Sequence, residues 1–311
     1  MQQDDEKALA PTVVKTSALP SLPPVVGELA ALGYSRLCDY QNRAYAELYL
    51  QRLRQVMQAE DQADTEHAHG YQASRETARW LALWMAFDDI VRVADLKSRA
   101  SRWQRVAREV KLQEDDLLHL YDHFKPGVPE FAALLPTWLA MPLQRWDKRR
   151  ALSGQSPWAL PLKIGTHSVM GMLALRTLAS FKWLRPFGSR FHTEQADITQ
   201  WLQAVCTGLQ QDGSLGHQIA MCGRLIKGYG STNERGKDNL LHILKTVCVP
   251  DASKTAAEQT AAVSQIRKAA LQDEAGQLLD QTLSLHGAPV RPVKAQPILW
   301  MKNPRIKSSN S

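Results

Sequence analysis

Apolar residues recur at three- and four-residue steps over most of this chain, and no run alternates strictly between turn signals at both ends. That repeat is the strongest constraint on the fold. It gives each segment one apolar stripe, which a helix can bury against a neighbour, whereas a strand needs a period of two. In Leu37–Met57 the step is carried by Leu37, Tyr40, Ala44, Tyr45, Leu48, Leu53 and Val56, while Asn42, Arg43, Gln51 and Arg54 take much of the other face. Arg75–Val110 is more apolar still: Trp80, Leu81, Leu83, Trp84, Met85, Phe87, Ile90, Val91 and Val93 leave little polar face, as in a central helix.

Further helices are predicted at 112–125, at 160–184 as a second buried helix, at 194–210 with Thr193 as N-cap, and at 215–227, 236–248 and 256–285. Residues 58–70 are polar and read as a loop. Prolines 11, 20, 23 and 24 break the start, and four more follow His286. The sequence thus predicts an all-α, multi-helix, orthogonal or bundle-like domain at 30–286, with disordered tails at 1–29 and 287–311, and no strand.

Composition narrows the class. With 311 residues, 44% of them hydrophobic and 22% charged, the chain can bury a core without disulfides or a metal. Cys38, Cys206, Cys222 and Cys248 lie at least sixteen positions apart, so local thiols form neither a zinc ribbon nor an iron–sulfur loop. The opening MQQDDEKALAP is acidic and polar, and the most apolar stretch, Trp80 to Ala94, is interrupted by Asp88, Asp89 and Arg92. These features predict a cytoplasmic protein that spans no membrane. The net charge of +7 favours acidic partners in general.

Four constellations are candidates for chemistry. Arg99, Arg102, Arg105, Arg108 and Lys111 are spaced by three, so they wind around a helix rather than forming one flat face; Asp95 and Glu109 are natural partners. Lys227, Gly228, Tyr229 and Gly230 followed by Arg235 form a glycine-rich turn that could gather backbone N–H groups, but it lacks the order of a Walker loop. Its plain reading is a tight turn into the next helix, with Arg235 bound to carbonyls or a carboxylate. Asp88 and Asp89 point about 100° apart on a helix, so they form no carboxylate dyad, and one of them would need a buried donor. His119 and His123 have the spacing of two ligands on one helical face, without a metalloprotease signature around them.

Three segments, taken in order, resemble a known group. Arg36–Ala46 contains Tyr40, Gln41 and Tyr45 in an RL-x-x-YQ-x-x-AYA pattern. Met85–Leu96 contains Asp89 in an MA[FY]-x-D…VA-x-L pattern. Ile226–Arg235 follows I[KR]G[FY]G-x-x-x-x-R. Together they resemble the C-terminal helical region of indolepyruvate:ferredoxin oxidoreductase beta-type subunits, over about residues 30–285. The resemblance implies an accessory part of a 2-oxoacid oxidoreductase. Thiamine diphosphate and iron–sulfur clusters would then sit on partner subunits, with a gamma-type subunit and ferredoxin as further partners. The gamma-type domain, a GDG-type thiamine motif and a cluster-type cysteine run are all absent from these residues. The resemblance therefore implies no catalytic, cofactor or metal residue in this chain. Two alternatives stand beside it. One is a helical ligand-binding domain with a pocket near Asp89, Tyr229 and Arg235. The other is a basic adaptor for nucleic acid, which the winding of the Arg99–Lys111 series argues against.

Overall fold

The computed structural model describes residues 22–66, 70–113, 116–156, 158–228, 230–249 and 253–292. These residues are 73% helical, with thirteen α-helices and one two-stranded sheet among them. None of the helices is long and apolar enough to cross a membrane.

α1 (Pro24–Tyr40) begins with proline in its first turn, where the missing N–H costs nothing. The helix thus takes in residues 24–29, which the sequence assigns to a tail. Gln41 ends it. Asn42 then starts α2 (Arg43–Ala63) by accepting a hydrogen bond from Tyr45 N at 2.9 Å. α2 takes in residues 58–63, the first part of the polar stretch expected to form a loop, because Tyr49, Leu53, Val56, Met57 and Glu60 keep one face buried to its last turn.

The long helix predicted at 75–110 is three helices. α3 (Gln72–Met85) stops before Phe87, α4 (Ile90–Ser98) restarts with Asp89 as N-cap, and α5 (Ala100–Glu109) follows Arg99. Asp88 and Asp89 therefore occupy a break rather than a helix interior.

The region after α5 departs furthest from expectation. Instead of a helix at 112–125, Tyr121–Phe124 forms β1, which pairs antiparallel with β2 (Leu162–Gly165), with Tyr121 opposite Gly165. Each strand has four residues and their pairing is distant in sequence, so neither shows the run of alternation by which strands are read. α6 (Val128–Leu134) and α7 (Thr137–Leu152) lie between them. α8 (Val169–Ser180) follows and passes into a 3₁₀ turn at Phe181–Phe187. The predicted buried helix at 160–184 is only partly there: α8 buries Leu175 alone.

α9 (Ser189–Gln211) starts one turn before the predicted Thr193 cap, and Thr193 Oγ1 instead donates to Ser189 O at 3.1 Å. Asp212 caps α10 (Gly213–Met221) by accepting from Ser214 N and Leu215 N. Gly208 and Gly216 let α9 and α10 touch closely: a Cβ added at Gly208 would lie 3.1 Å from Gly216 Cα. α11 (Ser231–Thr246), α12 (Ala256–Gln272) and α13 (Gln277–Leu285) complete the array. The break at Asp273–Gly276 splits the last predicted helix, with Gly276 at φ +81°.

The buried members of the main core come from residues 26–86 and 198–283, with Trp84 against Trp201 near its centre at 5.7 Å between ring centroids. Residues 87–197 are inserted between these two halves and supply none of its buried members.

Candidate functional site

The three resemblance motifs meet in pairs at two places. The first is a buried polar joint. Tyr40 ends α1, Gln41 fills the corner before α2, and Asp89 caps α4 by accepting from Arg92 N at 2.6 Å. Arg185 enters from the 3₁₀ turn at 181–187 and is 2% exposed. Its Nη2 donates to Asp89 Oδ1 at 3.1 Å, and its Nε donates to the other carboxylate oxygen. Its Nη1 donates to Tyr40 O at 2.9 Å and to Gln41 Oε1 at 2.7 Å, and its guanidinium carbon lies 4.0 Å from the Tyr40 ring centroid. Gln41 returns a hydrogen bond to Lys182 O at 3.0 Å. Burial alone would lower the Arg185 pKa, but the hydrogen bonds to Asp89 outweigh it and raise it. Every polar atom of the pair is thus occupied, as a buried ion pair requires.

Tyr45 lies beside this joint. Its hydroxyl donates to Met85 O at 3.0 Å and accepts from Gln195 Nε2 at 2.9 Å. Burial pushes its pKa up. The Tyr40 hydroxyl is buried and has no hydrogen-bond partner among the described residues.

The second place is a cavity of about 380 Å3 on the other side of Asp89. Asp88, Phe124, Lys125, Arg190, Gly228 and Gly230 are among its lining residues. It brings the carboxylate break and the glycine turn together although about 140 positions separate them. Gly228 and Gly230 have φ values of +76° and +55°, conformations that side chains rarely adopt. Asp88 accepts no hydrogen bond among the described residues, and burial raises its pKa against the opposing pull of Arg190, Arg92 and Arg36. A neighbouring cavity of about 320 Å3 shares Glu130, Ala133, Arg190 and Glu234 with the first. Behind it, Glu194 is 1% exposed and bound at 2.8 Å by Trp84 Nε1 and at 2.7 Å by Lys237 Nζ.

Residues 26–246 match the family of unknown function (DUF6537). The chain belongs to that family. No curated protein and no solved structure matches it. The matched span holds the Arg185 joint, both cavities and the whole insertion, whereas α12 and α13 lie beyond it.

The remaining candidate residues fall outside these arrangements. Lys227 is exposed, with its backbone N–H bonded to Leu225 O at 3.0 Å. Arg235 turns away from the cavity and donates to Glu274 O at 3.1 Å, so it secures a turn rather than lining the pocket expected near Asp89. Tyr229 lies outside the described residues. Of the Arg99–Lys111 series, Arg99 binds Asp95 at 2.5 Å, Arg102 binds Asp122 at 2.8 Å, and Arg105 lies 3.7 Å from Glu109. His119 and His123 share no helical face, because the segment is extended; His119 packs edge-on to His167 at 4.7 Å. No group of three or more His, Cys, Asp or Glu among the described residues could hold a metal ion. Cys222 is fully buried and its thiol is pushed up to about 12, where little thiolate forms.

Sequence reasoning missed Arg185, which completes the joint, and Asp88 as the open carboxylate. The signal for Arg185 was a single charge inside Trp183–Phe187, an otherwise apolar stretch closed by proline. A cation there must snorkel or be paired.

Proposed function

We propose that this chain is the helical accessory part of an indolepyruvate (2-oxoacid):ferredoxin oxidoreductase, working through docking rather than chemistry of its own. The reading rests on the ordered resemblance of the three motifs. The structural observation that carries the docking role is the surface of the insertion. Fourteen of the twenty-five large apolar side chains left exposed among the described residues fall between 138 and 187, including Trp138, Trp146, Met170 and Trp183. A surface of that kind marks an interaction site. The same stretch has eight Lys and Arg and a single acidic residue, Asp147. Two copies facing each other there would repel. The occupant is therefore an acidic-rimmed apolar face, assigned here to the thiamine or gamma-type subunit. Those partners would carry the thiamine diphosphate and the iron–sulfur clusters, and ferredoxin would be the electron acceptor.

Tagged purification from the native organism, anaerobically and at low salt, tests this. Co-elution of a thiamine and iron–sulfur subunit with indolepyruvate:ferredoxin activity supports the reading, and Trp146→Glu with Trp183→Glu should abolish that co-elution. Recovery of the chain alone, without activity, overturns it.

The cavity beside Asp88 favours a second reading, a ligand-binding helical domain. A carboxylate with a raised pKa and no hydrogen-bond partner among the described residues, at the wall of a cavity, is a candidate for ligand contact. A small-molecule screen by thermal shift, with Asp88→Asn as control, separates this reading from the first. No shift that depends on Asp88 would remove it.

A further inference from the structure

A third cavity, of about 300 Å3, lies between the end of α1, α4 and the α8–3₁₀ segment, and its charges do not balance. On the α4 side, Arg92 Nη1 binds Asp39 at 3.1 Å and Asp95 at 2.8 Å, and Arg99 Nη2 binds Asp39 at 2.8 Å and Asp95 at 2.5 Å. Two guanidinium groups and two carboxylates thus close a neutral square. Arg185, at the floor, is neutralised by Asp89. The opposite wall carries Arg176 from α8 and Lys182 from the turn that follows. Both are exposed, and their side chains make no hydrogen bond or ion pair among the described residues. The cavity is left with two positive charges and no counter-charge.

We propose that this cavity binds a small phosphate monoester, held by Arg176 and Lys182 across from the Arg92–Arg99 pair. A phosphate monoester carries about −1.5 to −2 charges at pH 7, which matches an excess of two; a single side-chain carboxylate carries half of that. Two cations on one wall can hold two of its oxygens by charge-assisted hydrogen bonds. The volume is at the lower end for small-molecule sites, suited to a phosphate with a short organic stem rather than a nucleotide. The ligand would touch α4 and α8 together, so binding would also fasten these two helices of the insertion to each other. This inference stands apart from the oxidoreductase reading, because it needs no partner chain.

Calorimetric titration of the full chain with glycerol 3-phosphate, at ~50 mM salt to limit screening, tests it. The expected result is saturable binding with a Kd of about 1 mM or tighter, weakened at least ~tenfold in the Arg176→Gln/Lys182→Gln double variant. The melting temperature of that variant without ligand should match the parent, since neither side chain has a partner to lose. Lys148→Gln/Arg149→Gln, on α7, controls for the general field and should leave binding unchanged. Vesicles containing phosphatidate present the same group on a lipid, and tighter binding to them than to the free ester, lost in the double variant, would place the source in a membrane headgroup. Absence of saturable binding to either form, or equal weakening by both double variants, would overturn the proposal.

Discussion

The core halves and the insertion between them are built from similar helices, yet they treat their apolar residues in opposite ways. Residues 26–86 and 198–283 bury Trp84, Trp201, Tyr49, Leu53 and Ile219 to 1% exposure or less. Residues 138–187 leave Trp138 at 71%, Met170 at 74% and Trp183 at 60% exposure. Charge divides along the same line. Residues 87–197 hold seventeen Lys and Arg against twelve Asp and Glu, whereas the rest of the chain has twenty-one against nineteen, so five of the seven formal net positive charges belong to the insertion. The insertion is a surface carried by those halves, joined to them through Arg185, the Asp39 ion pairs and the Trp84–Glu194 and Tyr45–Gln195 hydrogen bonds. Apolar content alone does not make a core: the side chains also need a second layer to face.

The sharpest way to break this comparison is to cut the joint. Arg185→Ala leaves Asp89 buried without its partner and should cost about 3–5 kcal/mol in urea unfolding. Limited proteolysis should then cleave within 99–187 before the core. Uniform loss of both regions at once would show that the insertion is not separately held.

A matched pair of tryptophans gives the next contrast. Trp201→Ala removes a fully buried ring and its hydrogen bond to Ile219 O, for an expected loss of about 3–5 kcal/mol. Trp183→Ala should change stability by no more than about 0.5 kcal/mol. A loss above about 2 kcal/mol at Trp183 would mean that its face is covered in the free protein.

Asp39 sharpens the picture of the seat. Burial raises its pKa, but the hydrogen bonds and charges of Arg99 and Arg92 outweigh that and hold it below the ordinary carboxylate value. Its contribution is therefore present above the unfolded pKa of about 3.9 and is lost as pH falls through the lower folded value. Because the side chain is 45% exposed, Asp39→Asn should cost only about 0.5 kcal/mol at pH 7. That cost should vanish at the acid end of a pH-dependent melting series.

Asp88 should show the opposite sign and the smallest effect. Its pKa is raised by burial, so ionisation at neutral pH works against folding. Asp88→Asn should stabilise the chain by a few tenths of a kcal/mol at pH 7. The gain should fade as pH drops through the raised folded value and be gone below the unfolded one. A destabilised variant would reveal a partner for this carboxylate.

Much of the helical array was legible because each segment states its own periodicity. Leu37, Tyr40, Tyr45 and Leu53 mark α1 and α2 without reference to the rest of the chain, and Ile198, Trp201, Leu202, Val205 and Leu209 mark α9. The helix breaks at Asp89 and Gly276 were less legible, because propensity changes little across them and the interruption is made by a cap and a left-handed glycine. The β1–β2 pair was hidden, since its two short strands are defined by each other across some forty residues. Of the candidate site, Tyr40, Gln41 and Asp89 were visible as motifs, but their common partner was not.

By itself the sequence determined the class of structure and the charge of the chain, because helical period and residue type are local properties. Which apolar stripes become core was decided only by the tertiary structure. The stripes of α3 and α9 face each other, while that of α8 meets a partner only at Leu175. The same holds for Asp88 and Asp89, adjacent and chemically identical. One lies against Arg185 and closes a joint, and the other opens into a cavity, because burial and pairing depend on what the rest of the chain brings alongside.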